Sequence, residues 1–414
     1  QFLGTHFFNP PRYMHLLELI PTPFTSDDTL GAMREFSERT LGKGIVLCKD
    51  VPGFVANRLG VFGMFATFKL MEEFDFTIDE VDGLTGNLIG RAKTATFRTG
   101  DLSGLDVLAH VSAGLSQATG EDFSLPPWVH EIVQRGWLGD KSGGGFYKKN
   151  GKDIQTLDWH TLEYVPQQRL STPEIEALLK LPVTERLAKV RELPGRYGDF
   201  LRKLLATIAY HTARLAPELA HDIASVDRAL EWGYGWELGP FRVMDALGIE
   251  WLRTQIDQLG FAAPFLFLHA PDKFYVGTGS AEQMATLTGF QPVPAIPHHL
   301  SLAARRADGR MVDDNKEARV IDLGDRVLCL EFCGKMNTLG TGVMEMIAKT
   351  LDRIAKGKYV GLVIGNDDPR TFTAGANLAQ QAPALMSGDW KALEAGVARF
   401  QNTSMALRRA PFPV

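Results

Sequence analysis

The chain opens with Gln1-Phe-Leu-Gly-Thr-His-Phe-Phe-Asn-Pro-Pro-Arg-Tyr-Met-His-Leu-Leu-Glu-Leu-Ile20, and this stretch guides the interpretation of the rest. Two strand-like runs, Gln1–Phe8 and Met14–Ile20, flank two prolines, which interrupt strand pairing because proline has no N–H to donate. The second run is apolar on both alternating faces, which indicates a strand buried on both sides. Glu18 is its exception, since an unpaired ionised carboxylate there would cost on the order of several kcal/mol.

His6 is the candidate partner of Glu18, because the prolines would fold the first strand back on the second. A carboxylate that holds one nitrogen of an imidazole makes the other nitrogen a directed general base. The alternative is a hydrogen-bonded core histidine and an unrelated buried glutamate. The pair alone does not decide between the two interpretations.

Composition narrows the class of protein. A length of 414 residues predicts about two to four domains, and 45% hydrophobic with 22% charged residues is typical of a globular chain with a large core. The net charge of −5 and the lack of a basic block argue against a nucleic-acid partner. No apolar run is long enough to predict a membrane span. Three cysteines are too few for a disulfide framework, which favours a reducing compartment, with a cytoplasmic location expected and an organelle not excluded.

Two separated motifs carry a family resemblance. They are His6-Phe-Phe-Asn-Pro10 with Glu18 twelve positions after the histidine, and Lys49-Asp-Val-Pro-Gly-Phe-Val-Ala-Asn57-Arg58. Their order resembles the active-site signature of the 3-hydroxyacyl-CoA dehydrogenases, over roughly residues 1–150. The resemblance implies that His6 is the base, that Glu18 orients it, and that Asn57 holds the substrate with Arg58 beside it. It also assigns Asn9 to cofactor binding. From the residues alone, Asn57 is equally well a helix cap or a buried structural amide.

The glycine-rich segment Leu138-Gly-Asp-Lys-Ser-Gly-Gly-Gly-Phe-Tyr147 does not have P-loop spacing. On its own it predicts a flexible turn before a strand, but it also resembles a closing motif of the same dehydrogenases. That resemblance implies that Lys141 approaches the nicotinamide dinucleotide. The strand–Gly-x-Gly-x-x-Gly–helix fingerprint is not found in the 414 residues. We therefore expect NAD to be bound mainly by a domain absent from this chain.

An internal repeat follows the first helical region. Ile78-Asp-Glu-Val-Asp82 recurs as Ile223-Ala-Ser-Val-Asp227, and Asp101-Leu-Ser-Gly-Leu-Asp106 recurs as Asp245-Ala-Leu-Gly-Ile-Glu250. The copies are displaced by 145 and 144 positions. The second copy has no Pro-Gly-Phe-x-x-Asn-Arg, so we expect it to be structural and to replace a dimer partner. Its segment Gly233–Gly239 follows a helix and has the wrong spacing for a dinucleotide fingerprint.

The C-terminal part has a new α/β pattern. A strand over Val327–Phe332 leads to Met336-Asn-Thr-Leu339, a helix over Thr341–Ala355 and Thr373-Ala-Gly-Ala-Asn-Leu378. These motifs resemble the opening of the crotonase (enoyl-CoA hydratase/isomerase) fold, in which the N–H of Ala376 would form half of an oxyanion hole. Asn377 departs from that pattern, since aspartate is more usual there. His298 and His299 are predicted to be exposed rather than metal ligands, and no metal is expected.

These observations predict a multidomain, mainly α fold of five parts. They are the C-terminal remnant of a Rossmann-type NAD-binding domain (1–50), a first helical dehydrogenase domain with a connector (51–195), a second helical dehydrogenase domain (196–277), a linker (278–318) and the N-terminal part of an α/β crotonase domain (319–414).

The predicted function is NAD-dependent oxidation of (S)-3-hydroxyacyl-CoA to 3-ketoacyl-CoA in fatty-acid β-oxidation. The chain would be a fragment of a bifunctional dehydrogenase/hydratase that lacks the dinucleotide fingerprint and the acidic residues of the hydratase. A homo-oligomer or a complex with a thiolase is expected. Two alternatives stay open: a non-catalytic module that binds acyl-CoA or serves assembly, and a hydratase or isomerase whose dehydrogenase part has decayed.

Overall fold

The computed structural model of the protein describes residues 2–270, 272–297, 299–368 and 371–414. The chain divides into two compact units. The first runs up to Val276 and includes Met284–Val293, and the second comprises Gly277–Gln283 and Pro294–Val414. The described residues form a mixed α/β structure with many helices.

The strands are β1 (Leu3–Phe7), β2 (Leu16–Pro21), β3 (Gly44–Leu47), β4 (Tyr147–Asn150), β5 (Asp153–Asp158), β6 (Glu163–Pro166), β7 (Tyr275–Val276), β8 (Gln283–Thr286), β9 (Gly289–Pro292), β10 (Met311–Asp314), β11 (Ala318–Gly324), β12 (Val327–Phe332) and β13 (Gly361–Gly365).

The α-helices are α1 (Asp27–Glu35), α2 (Ala56–Phe74), α3 (Ile78–Thr85), α4 (Phe97–Ser103), α5 (Leu105–Thr119), α6 (Pro127–Gln134), α7 (Pro173–Leu178), α8 (Val183–Val190), α9 (Gly195–Leu219), α10 (Ile223–Tyr234), α11 (Pro240–Leu247), α12 (Ile249–Gln258), α13 (Phe265–Leu268), α14 (Leu302–Ala307), α15 (Thr341–Ala355), α16 (Leu378–Ser387) and α17 (Trp390–Arg408). A π-helical turn, Phe36–Thr40, continues α1, and short 3₁₀ helices lie at Asn87–Ile89, Asp140–Ser142, Gly279–Ala281 and Lys335–Asn337.

The N-terminal sheet has the order β1-β2-β3. Strands β1 and β2 are antiparallel, with His6 opposite Glu18, whereas β2 and β3 are parallel. Leu16, Leu17 and Leu19 are fully buried, so the prediction of a strand covered on both faces is confirmed. Because residues directly opposite in such a pair project to the same face of the sheet, this register brings the imidazole to the carboxylate.

Helix α2 is apolar nearly all round and packs against α9. The rings of Phe74 and Phe200 meet edge to face at 5.8 Å between centroids. A helix with so little polar surface is stable only when neighbours cover it on several sides. The first turn of α2, which carries Asn57, lies beside β2, because the N–H groups of Val55 and Ala56 donate to Glu18.

In the first helical copy, the buried Asp101 and the half-buried Asp82 both accept hydrogen bonds from Phe146-Tyr147, the end of the glycine-rich segment. Asp101 accepts hydrogen bonds from the backbone N–H groups of Phe146 and Tyr147, both at 2.8 Å. Asp82 accepts from the Tyr147 hydroxyl at 2.8 Å. Because buried carboxylates need such donors, these hydrogen bonds connect α3 and α4, which carry the two aspartates, to Phe146-Tyr147.

The second copy contains the same network. Asp245 accepts from the N–H groups of Phe274 at 2.6 Å and Tyr275 at 3.0 Å, and Asp227 accepts from the Tyr275 hydroxyl at 2.8 Å. The recurring residues of the sequence therefore make equivalent hydrogen bonds in the two copies.

Two regions contain more regular structure than their sequences indicate. The predicted connector before residue 195 includes the antiparallel sheet β4-β5-β6 as well as α7 and α8. The predicted linker 278–318 includes β8, β9, α14 and β10. These strands are short and mostly exposed, so their side chains show little hydrophobic alternation to reveal them.

The second unit has a sheet of order β10-β11-β12-β13, in which β12 and β13 are parallel and α15 connects them. The predicted strand Val327–Phe332 and helix Thr341–Ala355 are both confirmed at their predicted bounds. In the part of the chain that the structure describes, no helix has the length and apolar character needed to cross a bilayer.

Candidate active site

His6 and Glu18 form a direct pair. The Nδ1 atom of His6 lies 2.6 Å from Oε2 of Glu18. An ionised carboxylate can only accept a hydrogen bond, so in a pair of carboxylate and neutral imidazole Nδ1 is the donor and Nε2 has the free lone pair. The His6 side chain is 30% exposed and the Glu18 side chain is fully buried, so of the two only the imidazole can reach solvent or a ligand.

The other oxygen of Glu18 is held by the start of α2. Oε1 accepts hydrogen bonds from the N–H groups of Val55 at 3.1 Å and Ala56 at 2.9 Å, and from the thiol of Cys48 at 3.4 Å. These donors and the positive end of the helix dipole compensate the buried charge. Burial, with the charge of Glu18, raises the pKa of the Cys48 thiol, so it stays protonated and able to donate. The sequence signal for the two N–H groups at the start of α2 is Pro52-Gly53, because such a dipeptide marks a break between two elements.

Aromatic rings enclose the imidazole. Phe8 packs edge-on against His6 at 4.9 Å between centroids, and Phe54 lies at 5.6 Å. Asn9, which follows β1 and precedes a cis peptide bond to Pro10, is exposed. The rings of Phe8 and Phe54 restrict the imidazole of His6, whereas Asn9, on the same segment, is exposed and accessible to a ligand.

Asn57 lies in the first turn of α2, directly after the residues that hold Glu18. Its Oδ1 accepts a hydrogen bond from the hydroxyl of Tyr234 at 3.3 Å. Tyr234 ends helix α10 of the second copy. Sequence reasoning missed this residue, because no motif or spacing links it to the first copy.

Arg58 is only 6% exposed and is committed to other contacts. Its Nη2 lies 2.9 Å from Glu121, which Arg214 of α9 also contacts, and its guanidinium lies over the ring of Phe123 at 5.2 Å. Burial lowers the pKa of Arg58. These contacts favour a structural role, and substrate binding by Arg58 stays a prediction.

Lys141 is in the 3₁₀ turn after Gly139 and forms an ion pair with Asp106 at the start of α5. Both side chains are nearly half exposed. Within the described ranges, none of its hydrogen bonds or ion pairs reaches His6 or Glu18. The structure thus brings together His6, Glu18 and the first turn of α2, but does not join Lys141 to them.

Ala376 belongs to the second unit, just before α16. It forms an isolated parallel bridge with Leu339, whose N–H donates to Gly375 at 2.8 Å and whose carbonyl accepts from Asn377 at 3.1 Å. In a parallel bridge of this kind the N–H of the middle residue points away from the partner strand. The N–H of Ala376, an exposed residue, thus points away from Leu339, and substrate binding by it stays a prediction.

Across the described residues, no group of three or more His, Cys, Asp or Glu side chains is arranged to hold a metal ion. His299 is exposed. The prediction for His298 falls outside the described residues.

Two family models match the chain on either side of Pro52. Residues 1–51 match the NAD binding domain of 3-hydroxyacyl-CoA dehydrogenase, and residues 53–149 match the C-terminal domain of the same family. Residues 1–51 and 53–149 are therefore similar to the 3-hydroxyacyl-CoA dehydrogenase family. The expectation that the NAD-binding domain is absent from the chain is not supported, because residues 1–51 match its model.

Relatives extend the similarity beyond these domains. A protein named "Probable 3-hydroxyacyl-CoA dehydrogenase" from Bacillus subtilis is 38% identical over 424 aligned residues, covering 100% of this chain and 53% of that protein. One with the same name from Deinococcus radiodurans is 54% identical over 151 residues, covering 36% of this chain and 44% of that protein. The chain thus spans about half the length of the curated relatives it matches.

Among solved structures, 3-hydroxybutyryl-CoA dehydrogenase from Escherichia coli K12 is 18% identical and covers 62% of this chain and 66% of its own, with a TM-score of 0.43.

Proposed function

We propose that the protein oxidises an (S)-3-hydroxyacyl-CoA to the 3-ketoacyl-CoA, with NAD as the acceptor. The observation that carries this proposal is the His6–Glu18 pair, with Nδ1 and Oε2 at 2.6 Å and Oε1 bonded by two backbone N–H groups. A buried carboxylate with both oxygens fixed cannot rotate away from the imidazole. The pair is therefore suited to take a proton at Nε2, the nitrogen of His6 that faces away from Glu18.

His6 is the general base of this reaction. Its Nε2 takes the proton of the C3 hydroxyl, and Glu18 stabilises the resulting imidazolium through Nδ1–H. Because Glu18 is fully buried and held by Val55 and Ala56, its charge is directed at the ring rather than at solvent. Asn57, beside these residues, would hold the substrate through its amide.

NAD, when bound, supplies the acceptor for the hydride that leaves C3. The exposed amide of Asn9, three residues after His6, fits contact with a polar cofactor group. Lys141 fits only if its exposed ion pair with Asp106 opens, which costs little because both groups are nearly half solvated. Residues 1–51, which match the NAD binding domain, support the choice of this cofactor.

The second unit supports a second candidate function, enoyl-CoA hydration by the opening part of a crotonase fold. The specific observation is the Ala376 N–H, which the parallel bridge to Leu339 turns away from that strand. Such an N–H can stabilise the enolate oxygen of a thioester. A dehydrogenase that also hydrates enoyl-CoA would make its own substrate.

We propose a reducing, cytoplasmic environment, since Cys48 and Cys329 are buried free thiols. Because a thiolase consumes 3-ketoacyl-CoA, a complex with a thiolase would pass the product on directly. A homo-oligomer is the other assembly that we propose.

The test is NADH absorbance with the full-length protein, comparing an (S)-3-hydroxyacyl-CoA with its (R) epimer. We expect NADH from the (S) epimer alone. Acyl-CoA binding by isothermal titration without NADH formation would contradict the proposal and favour a binding module. NADH from neither epimer, together with hydration of an enoyl-CoA, would favour a decayed dehydrogenase.

A further inference from the structure

Tyr234 connects the second helical copy to the candidate site. Its hydroxyl donates to Oδ1 of Asn57 at 3.3 Å. Its ring packs edge-on against Phe8 at 5.7 Å, and Phe8 in turn packs against His6 at 4.9 Å. The second copy was expected only to replace a dimer partner, but its helix α10 ends against the residues proposed to perform the chemistry.

Glycines permit this close approach. A Cβ atom built on Gly60 would lie 2.4 Å from Cζ and 2.6 Å from the hydroxyl oxygen of Tyr234, so a side chain there would displace the ring. A Cβ on Gly233 would lie 2.7 Å from Leu16 of β2. The glycine-rich stretch Gly233–Gly239 begins in the last turn of α10, and its first glycine lets this end of the helix contact β2.

We propose that Tyr234 is a positioning residue that fixes the amide of Asn57 for the dehydrogenase reaction. With its hydroxyl bonded to Oδ1, the amide presents its Nδ2 hydrogens to the substrate. Asn57 is therefore oriented to bind an oxygen atom of the acyl-CoA as a donor, through Nδ2–H. This inference rests on the proposed function.

The surroundings of Tyr234 are compatible with its hydroxyl as the donor of this hydrogen bond. Burial and the nearby charge of Glu18 raise the pKa of its hydroxyl, which stays protonated and able to donate. An amide group whose oxygen accepts this hydrogen bond is held in one of its two flipped orientations.

The experiment uses Tyr234→Phe in the full-length protein, with NADH formation as the readout. Loss of one hydrogen bond should lower kcat/KM for the (S)-3-hydroxyacyl-CoA about threefold to tenfold and leave KM for NAD unchanged. Tyr210→Phe is the matched control, because Tyr210 stacks on Phe261 at 4.4 Å in the same copy, and its kinetics should match the wild type.

A double-mutant cycle with Asn57→Ala separates positioning from a merely structural role. It is measured on the affinity for a 3-ketoacyl-CoA by isothermal titration, which needs no turnover. Tyr234→Phe should weaken binding in the wild-type background and have no further effect with Asn57→Ala. If Tyr234→Phe fails to fold, Gly60→Ala, which displaces the ring and keeps the hydroxyl, should show the same coupling.

Unchanged kcat/KM in Tyr234→Phe, or an equal loss in both backgrounds, would overturn the inference while leaving the proposed function intact. A wild-type protein that forms no NADH from the (S) substrate would instead overturn the proposed function, and this inference with it.

Discussion

Glu18 lies directly opposite His6 in the antiparallel pair of β1 and β2, and its carboxylate holds the imidazole at 2.6 Å. The same carboxylate caps the entry to α2 through its second oxygen. One buried side chain thus joins the imidazole of His6 to the helix that carries Asn57. Changes at Glu18 should therefore affect the orientation of this imidazole, the proposed base, before they affect the fold.

Glu18→Gln tests this orientation. The glutamine oxygen can still accept from the N–H groups of Val55 and Ala56, which turns its amide nitrogen toward His6. The imidazole would then accept at Nδ1 and carry its proton on Nε2, the wrong tautomer for a base. We expect kcat for dehydrogenation to fall by at least about 10²-fold, with a nearly unchanged urea midpoint. Glu35→Gln, on the exposed side of α1, is the control. Full activity in Glu18→Gln would contradict the proposed role.

His6→Ala should lower kcat by about 10²–10⁴-fold, the range expected when a general base is removed. Because the ring is partly exposed and the buried Glu18 keeps its backbone donors, the protein should stay folded. NADH formation and enoyl-CoA hydration are measured on the same full-length sample. Equal loss of both activities would be incompatible with separate sites in the two units.

Much of this arrangement could be predicted from the sequence, because the decisive signals are local. The prolines after His6 and the lone Glu18 in an apolar run predicted both strands and their pairing, and Thr341–Ala355 was predicted as a helix from its periodicity alone. The Tyr234–Asn57 contact joins residues 177 positions apart, and no local pattern encodes such a contact. The partners of Arg58 were missed for the same reason, since Glu121 and Arg214 come from distant segments.

Arg58→Met distinguishes a structural role from substrate binding. The change leaves the partly buried Glu121 with Arg214 as its remaining partner, so we expect the free energy of unfolding to fall by about 2 kcal/mol. KM for the acyl-CoA should change less than twofold. Arg39→Met, at an exposed ion pair, should cost less than about 0.5 kcal/mol. A large rise in KM with unchanged stability would instead support the substrate-binding role predicted from the sequence.

The buried Asp101 makes stability depend on pH. Burial raises its pKa from 3.8 to about 7. The folded protein therefore binds more protons than the unfolded chain between about pH 4 and 7, and this contribution to stability is lost as the pH rises through that window. Asp101→Asn cannot titrate, so the fall in stability between pH 5 and 8 should be shallower than in the wild type. Urea unfolding at both pH values measures it. The stability of Asp153→Asn, a control at an exposed position in β5, should depend on pH as in the wild type. If the stability of Asp101→Asn fell as steeply between pH 5 and 8 as that of the wild type, the raised pKa would not belong to Asp101.

Ala376→Pro tests the second unit by removing a single N–H. If that N–H stabilises a thioester enolate, hydration of an enoyl-CoA by the full-length protein should fall by about 10²–10³-fold, while NADH formation from the 3-hydroxyacyl-CoA persists. Ala379→Pro is the control, because a proline in the first turn of α16 is tolerated and leaves the Ala376 N–H in place. The urea midpoints of the two variants should agree. Equal hydration rates in both variants would show that the bridge to Leu339 is only structural, and that the second unit draws no catalytic donor from this position.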